Sequence, residues 1–158
     1  MMVYLEYEEQ KLKYQQSHKK YDEILTEKEA LFAMTQPKSV QFDKERVSGG
    51  VPSNSFEEYI IQKEKKRIDE RLAEARSLLI ERETLLRIKE DELRESKDLN
   101  DRLYVARVLD RMKMQKLTKF LNYSESHIYR MLGEIYSEIK KMRENERIQM
   151  LKYQYKSL

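Results

Sequence analysis

Apolar side chains recur at helical spacing along most of this chain, and the pattern predicts long helices. Residues 1–35 are expected to form an amphipathic helix, in which Tyr7, Tyr14 and Tyr21 fall seven residues apart. Residues 55–98 are expected to form a second helix, with leucines that repeat every seven residues at Leu72, Leu79, Leu86 and Leu93. Such a repeat is typical of helices that pack against other helices. We therefore expect an all-α protein whose first two helices form a long, antiparallel, coiled-coil-like hairpin.

Residues 36–54 interrupt this pattern, because they hold both prolines and two of the three glycines. They are predicted to form a loop or linker. Ser55 and Glu58 have the spacing of a capping box at the start of the second helix. We call the four repeating leucines of that helix (Leu72, Leu79, Leu86 and Leu93) the leucine seam. Beside it, a second apolar stripe opens at Leu78, Leu85 and Ile88. The seam is expected to serve packing first and, beyond that, self-association as a homodimer.

The tyrosine row of the first helix has two interpretations. It could be a stacking platform for single-stranded nucleic acid, since every base has an aromatic face. A row at helical spacing is more typical of a packed seam whose hydroxyls reach solvent. We favour the packed seam.

Residues 99–142 predict a different unit, with the local signals of a helix-turn-helix. A short helix ends at Leu121, a tight turn follows, and a longer helix opens at Ser124, whose hydroxyl can cap it. In DNA-binding proteins of this class, the first turn of the second helix enters the major groove. Residues 143–158 are expected to extend this helix and to fray at the end.

The polar face of that helix supplies the candidate DNA contacts. Ser126, His127 and Arg130 are expected to address base edges, with Tyr129 beside a phosphate. Ser124, which caps the helix, is also one of the candidate DNA contacts. The preceding helix offers cations that can follow a phosphate backbone, namely Lys113, Lys116 and Lys119. The alternative is an ordinary helical hairpin inside a bundle.

Charge is distributed unevenly along the chain, and this supports a polyanionic partner. Residues 99–158 contain 13 Lys/Arg and 7 Asp/Glu, a balance of +6, which leaves −3 for residues 1–98 of the overall +3. The basic excess therefore accompanies the predicted helix-turn-helix. Double-stranded DNA is the partner that this arrangement favours.

Composition argues against an enzyme. There is no Cys, which excludes a cysteine nucleophile, a disulfide scaffold and a cysteine-based zinc site. The two histidines, His18 and His127, lack partners at metal-ligand spacing, and no glycine-rich phosphate loop is present. We expect no catalysis, metal or cofactor. No segment has the length of a membrane span or the pattern of a signal peptide, so we expect a cytoplasmic protein without a membrane partner.

The segment from Met114 to Arg130 resembles the C-terminal part of ArpU/RinA-like late transcriptional activators of phages and prophages from low-GC Gram-positive bacteria. In that family, this part is similar to region 4 of sigma-70 factors. The positions that match the family pattern are Leu117, Leu121, Tyr123, Ser124, Ile128, Tyr129 and Arg130. A weaker resemblance extends over residues 37–142. Thr118 replaces the family's small alanine, and Asn122 replaces its turn glycine. The resemblance implies an activator of late phage genes, with RNA polymerase as a further partner.

Two alternatives come from other functional classes. A phage DNA-packaging protein similar to a terminase small subunit would also join a helix-turn-helix to helical oligomerisation, and it would form a ring of many subunits. A structural coiled-coil adaptor would have no role with nucleic acid and would show no affinity for DNA.

Overall fold

The computed structural model describes residues 2–35 and 55–156, and all regular structure in these ranges is helical. The elements are α1 (Val3–Thr35), α2 (Ser55–Glu95), α3 (Leu99–Tyr104), a π-helical turn that continues α3 (Val105–Leu109), α4 (Met114–Leu121) and α5 (Glu125–Lys156). The expected all-α class is confirmed. The predicted loop at 36–54 lies outside the described residues. Within them, no helix combines the length and the apolar character that a bilayer crossing requires.

The chain divides into two compact units. The terminal unit consists of Met1–Tyr14 with Arg82–Leu158, and the central unit consists of Gln15–Glu81. The start of α1 and the end of α2 belong to the same unit as α3, α4 and α5.

The central unit is held by a small apolar cluster between α1 and α2. Ile24, Ile68 and Ala75 are buried, and partly buried side chains pack against them from Tyr21, Leu31 and Leu72. Two surface ion pairs flank the cluster: Lys28 Nζ lies 2.9 Å from Asp69 Oδ1, and Arg71 Nη1 lies 2.9 Å from Glu27 Oε2. Of the predicted seam, Leu72 is therefore used for packing inside the chain.

The terminal unit is built around Tyr104, whose side chain is fully buried. The ring of Tyr4 stacks on it at 5.6 Å between centroids, and that of Tyr7 meets it edge-on at 6.1 Å. Both geometries are favourable for aromatic pairs. Aliphatic side chains complete the core, and the most deeply buried are Leu93, Leu103, Leu117, Ile128 and Ile135. The first turns of α1 thus share one core with α4 and α5.

Two buried carboxylates connect distant parts of this unit. Asp101 accepts a hydrogen bond from the backbone N–H of Tyr4 at 3.0 Å and from Ser96 Oγ at 2.6 Å. The first N–H groups of a helix have no partner within the helix, so Asp101 supplies one for α1. Glu8 accepts from the Tyr104 hydroxyl and from Arg143 Nη2, the latter at 2.8 Å. Burial, and next the hydrogen bond to Glu8, raise the pKa of Tyr104 well above its ordinary value.

The π-helical turn and residues 110–113 connect α3 to α4. The N–H of Asp110 donates to the carbonyl of Val105 at 2.9 Å, and the N–H of Met112 donates to that of Ala106 at 2.8 Å. Arg111, between them, has a left-handed backbone with φ 52°. Arg107 Nη1 donates to the Met112 carbonyl at 2.8 Å, which satisfies a further backbone acceptor of the connection.

Candidate nucleic-acid interface

The turn between α4 and α5 depends on one residue with a positive φ. α4 ends at Leu121, and Asn122 follows with φ 60° and ψ 41°. Its N–H donates to the carbonyl of Thr118 at 2.9 Å, which closes the end of α4. Asparagine tolerates this left-handed conformation better than most residues with a side chain. Two further residues, Tyr123 and Ser124, bring the chain to the start of α5.

Ser124 caps α5. Its carbonyl accepts the first hydrogen bond of the helix, from the N–H of Ile128 at 3.0 Å. Its Oγ accepts from the N–H of His127 at 3.3 Å. Both bonds are those of an N-cap residue, because the hydroxyl satisfies one of the N–H groups that the first turn leaves without a partner. The cap fixes where the exposed first turn of α5 begins.

The core determines which face of α5 meets solvent. Ile128, Met131 and Leu132 are buried in the same cluster as Leu117 and Leu121 of α4. At 100° per residue, the opposite side of α5 belongs to the exposed side chains of Ser126 and Arg130. α4 therefore braces the first turns of α5 and leaves their polar face open.

His127 links the turn to Arg130. Its ring stacks on Tyr123 at 5.0 Å between centroids, with 29° between the planes. Arg130 Nη2 lies 2.7 Å from His127 Nδ1. A guanidinium has only donors, so Nδ1 can only accept in this contact. The contact restrains the guanidinium of Arg130, and its other donors remain available for a ligand.

The other predicted contacts are exposed. Tyr129 is 55% exposed on α5. Lys116 and Lys119 lie on the side of α4 opposite its buried leucines, and Lys113 precedes the helix with an extended backbone. In the part of the chain that the structure describes, none of these three lysines forms an ion pair. Glu125, also exposed, is the acidic residue in the first turn, where the helix dipole favours a negative charge.

Several residues beside this surface were not among the predicted DNA contacts. Asn122 and Tyr123 line a shallow depression with four of the predicted residues, Ser124, Ser126, His127 and Arg130. The guanidinium of Arg102 lies 5.5 Å from the ring centre of Phe120, which is itself 53% exposed. The position of Tyr123, next to the capping Ser124, could have indicated from sequence that it lies at this surface. No sequence pattern indicates the contact of Arg102 with Phe120, because the two residues belong to different helices.

The leucine seam lies on α2, a different helix from those of the predicted DNA contacts. Its four leucines differ in how deeply they are buried. Leu93 is fully buried in the core of the terminal unit, and Leu86 packs against that core. Leu72 and Leu79 are half-buried in the central unit. The two seam leucines of the terminal unit are thus occupied by contacts within one chain.

No group of three or more His, Cys, Asp or Glu side chains that could hold a metal ion occurs among residues 2–35 and 55–156. No protein-family model, curated protein or solved structure matches the chain.

Proposed function

We propose that this protein binds duplex DNA through α4 and α5, which act as a helix-turn-helix, and that it regulates transcription. The observation that carries the proposal is the capped first turn of α5, which presents Ser126 and Arg130 to solvent beside the half-buried His127, while α4 braces its opposite side. A helix held in this way matches the element that enters a major groove.

Each exposed group has a chemistry suited to this partner. The Arg130 guanidinium can donate two hydrogen bonds to a guanine edge, and Ser126 can donate or accept. Glu125 can accept from the amino group of cytosine. Lys113, Lys116 and Lys119 supply charge for the phosphate backbone, where contacts determine position rather than sequence.

The regulatory role rests on the resemblance of Met114–Arg130 to the ArpU/RinA-like activators. On that basis we infer a prophage-encoded activator of late genes with RNA polymerase as a further partner. We also infer that α1 and α2 form a helical hairpin. Within the central unit, the successive pairs Glu27–Arg71 and Lys28–Asp69 support opposite chain directions.

Selection of duplexes from a random library tests the proposed DNA binding, and fluorescence anisotropy then measures the affinity at increasing salt concentration. We expect a preferred sequence whose affinity falls steeply as salt rises. The variant Ser126→Ala/His127→Ala/Arg130→Ala should lose this preference by roughly 100-fold and keep weak, sequence-independent binding. The variant Lys113→Ala/Lys116→Ala/Lys119→Ala should instead weaken binding to all duplexes and reduce the salt slope by about 3.

A matched control removes the same side-chain types from the central unit. The variant His18→Ala/Arg76→Ala/Ser77→Ala changes exposed positions outside α4 and α5 and should bind like the wild type. If no duplex is preferred, or if the α5 variant and the control behave alike, the proposal is wrong and the adaptor alternative gains support. A ring of many subunits on DNA would favour the packaging alternative.

A further inference from the structure

A groove in the terminal unit is separate from the proposed DNA-reading turn. It has a volume of about 460 Å³ and lies among the start of α1, the π-helical turn and the middle of α5. Its apolar surface comes from Val108, Tyr136 and Ile139, and its cations include Lys11, Lys140 and Arg147. We call it the basic groove. Arg143 also lines it, but that guanidinium is engaged by Glu8.

An exposed stripe on α2 has the complementary character. Leu85 and Ile88 are 37% and 49% exposed, although both are large and apolar. Asp91 and Glu95 follow Ile88 at three and seven residues, so that one side of the helix passes from apolar to acidic. Both carboxylates are exposed, and neither forms an ion pair within the described residues. We call these four residues the acidic stripe.

The acidic stripe is distinct from the leucine seam of the same helix. Leu86 and Leu93 pack on the core of the terminal unit, which leaves that side of α2 unavailable to a second molecule. Leu85 and Ile88 remain on the solvent side. Self-association through this part of α2 would therefore use the stripe rather than the seam.

We propose that the acidic stripe of one copy of this chain docks into the basic groove of a second copy. Leu85 and Ile88 would contact the apolar surface of the groove, and Asp91 and Glu95 would approach Lys140 and Arg147. Complementary charge of this kind selects and orients a partner. A nucleic acid fits the groove less well, because the carboxylates of Glu8 and Glu144 line it together with apolar side chains.

Charge reversal on the full-length chain tests the pairing by sedimentation velocity without DNA. We expect the wild type to form dimers. The groove variant Lys140→Glu/Arg147→Glu and the stripe variant Asp91→Lys/Glu95→Lys should each weaken self-association roughly tenfold or more, since each places like charges opposite one another. A mixture of the two variants should recover a dimer, because the reversed groove then meets the reversed stripe.

The matched control is Lys152→Glu/Lys156→Glu, which makes the same charge change on exposed positions of α5 outside the groove. It should self-associate like the wild type. A monomeric wild type, a dimer that persists in both single variants, or a mixture that stays monomeric would each overturn the proposal. None of these outcomes depends on DNA, so the proposed DNA-binding function can fail or hold independently.

Discussion

Buried polar groups at single residues determine how the terminal unit is held together. Glu8 is only 3% exposed and Asp101 only 2%, and each receives hydrogen bonds from residues far away in sequence. An ionised carboxylate without such partners would be costly to bury. These two residues therefore fix the first turns of α1 against α3 and α5 more specifically than apolar packing would.

The hydroxyl of Tyr104 can be tested by its removal. Tyr104→Phe keeps the ring in the core and deletes one hydrogen bond to the buried Glu8, whereas Arg143 remains as a partner. We expect the free energy of unfolding to fall by about 1.5–3 kcal/mol, as for hydrogen bonds to charged groups. Urea unfolding measures this change. Tyr129→Phe, at an exposed position, should stay within about 0.5 kcal/mol of the wild type, and an equal loss in both variants would contradict the prediction.

The buried hydroxyl of Tyr104 should also make the stability of the protein sensitive to alkaline pH. The pKa of Tyr104 is raised above its ordinary value of 10.0 in the folded state, so the folded protein holds this proton more tightly than the unfolded chain. Its contribution to stability is complete below about pH 10 and is lost as pH rises further. Burial also raises the pKa values of Tyr4 and Tyr7, which act in the same direction. In Tyr104→Phe, the free energy of unfolding should therefore decline less steeply between about pH 10 and pH 11 than in the wild type. An unchanged slope of the free energy of unfolding against pH would argue against this account.

At the scale of elements, each of the two connections that flank α4 contains one residue with a left-handed backbone. Arg111 has φ 52° and Asn122 has φ 60°. For a residue with a Cβ, this conformation costs roughly 1–2 kcal/mol, and asparagine is among the few that adopt it routinely. The left-handed conformation should therefore cost less in the turn before α5, where asparagine adopts it, than in the connection before α4, where arginine does.

Glycine substitutions should reveal that difference. Arg111→Gly is expected to raise the free energy of unfolding by about 1 kcal/mol, which corresponds to roughly 2–4 °C in Tm for a chain of this size. Asn122→Gly should change stability by only a few tenths of a kcal/mol, and Asn122→Ala should lower it by about 1 kcal/mol. Arg111→Ala serves as the control, because it removes the charge and keeps the Cβ. Thermal unfolding by circular dichroism distinguishes the four variants, and equal gains for Arg111→Gly and Arg111→Ala would show that charge, not backbone conformation, is responsible.

Local signals explain what the sequence could predict about these elements. The all-α class follows from helical periodicity, and Asn122 and Ser124 have recognisable roles at a helix end and a helix start. The docking of Tyr4 on Asp101 and the pairing of Glu8 with Tyr104 join residues 96 and 97 positions apart. Such contacts leave no periodic pattern, so neither they nor the π-helical turn was predicted. For the same reason, Arg102 and Phe120 were absent from the predicted site.

At the scale of the whole molecule, the candidate DNA-binding turn depends on side chains from the start of α1 and the end of α2. Its bracing residues Leu117, Leu121 and Ile128 share one core with Tyr4 and Tyr7 of α1 and with Leu93 of α2. One core therefore joins side chains from the start of α1 and the end of α2 to those of α4 and α5. Changes near the N-terminus should therefore affect DNA binding without touching the DNA surface.

A truncation tests this dependence. A fragment of residues 99–158 keeps all the proposed DNA contacts but loses Tyr4, Tyr7 and Leu93, and removal of a single large buried side chain already costs about 3–5 kcal/mol. Because domains have only about 5–15 kcal/mol of stability, we expect the fragment to lack a cooperative thermal transition and dispersed methyl resonances in its proton NMR spectrum. The full-length variant Tyr4→Ala/Tyr7→Ala should move in the same direction, whereas Tyr153→Ala/Tyr155→Ala, at positions 82% and 77% exposed, should unfold like the wild type. A fragment with a dispersed spectrum and full DNA affinity would show instead that α3, α4 and α5 fold independently, and that the contribution of α1 is dispensable.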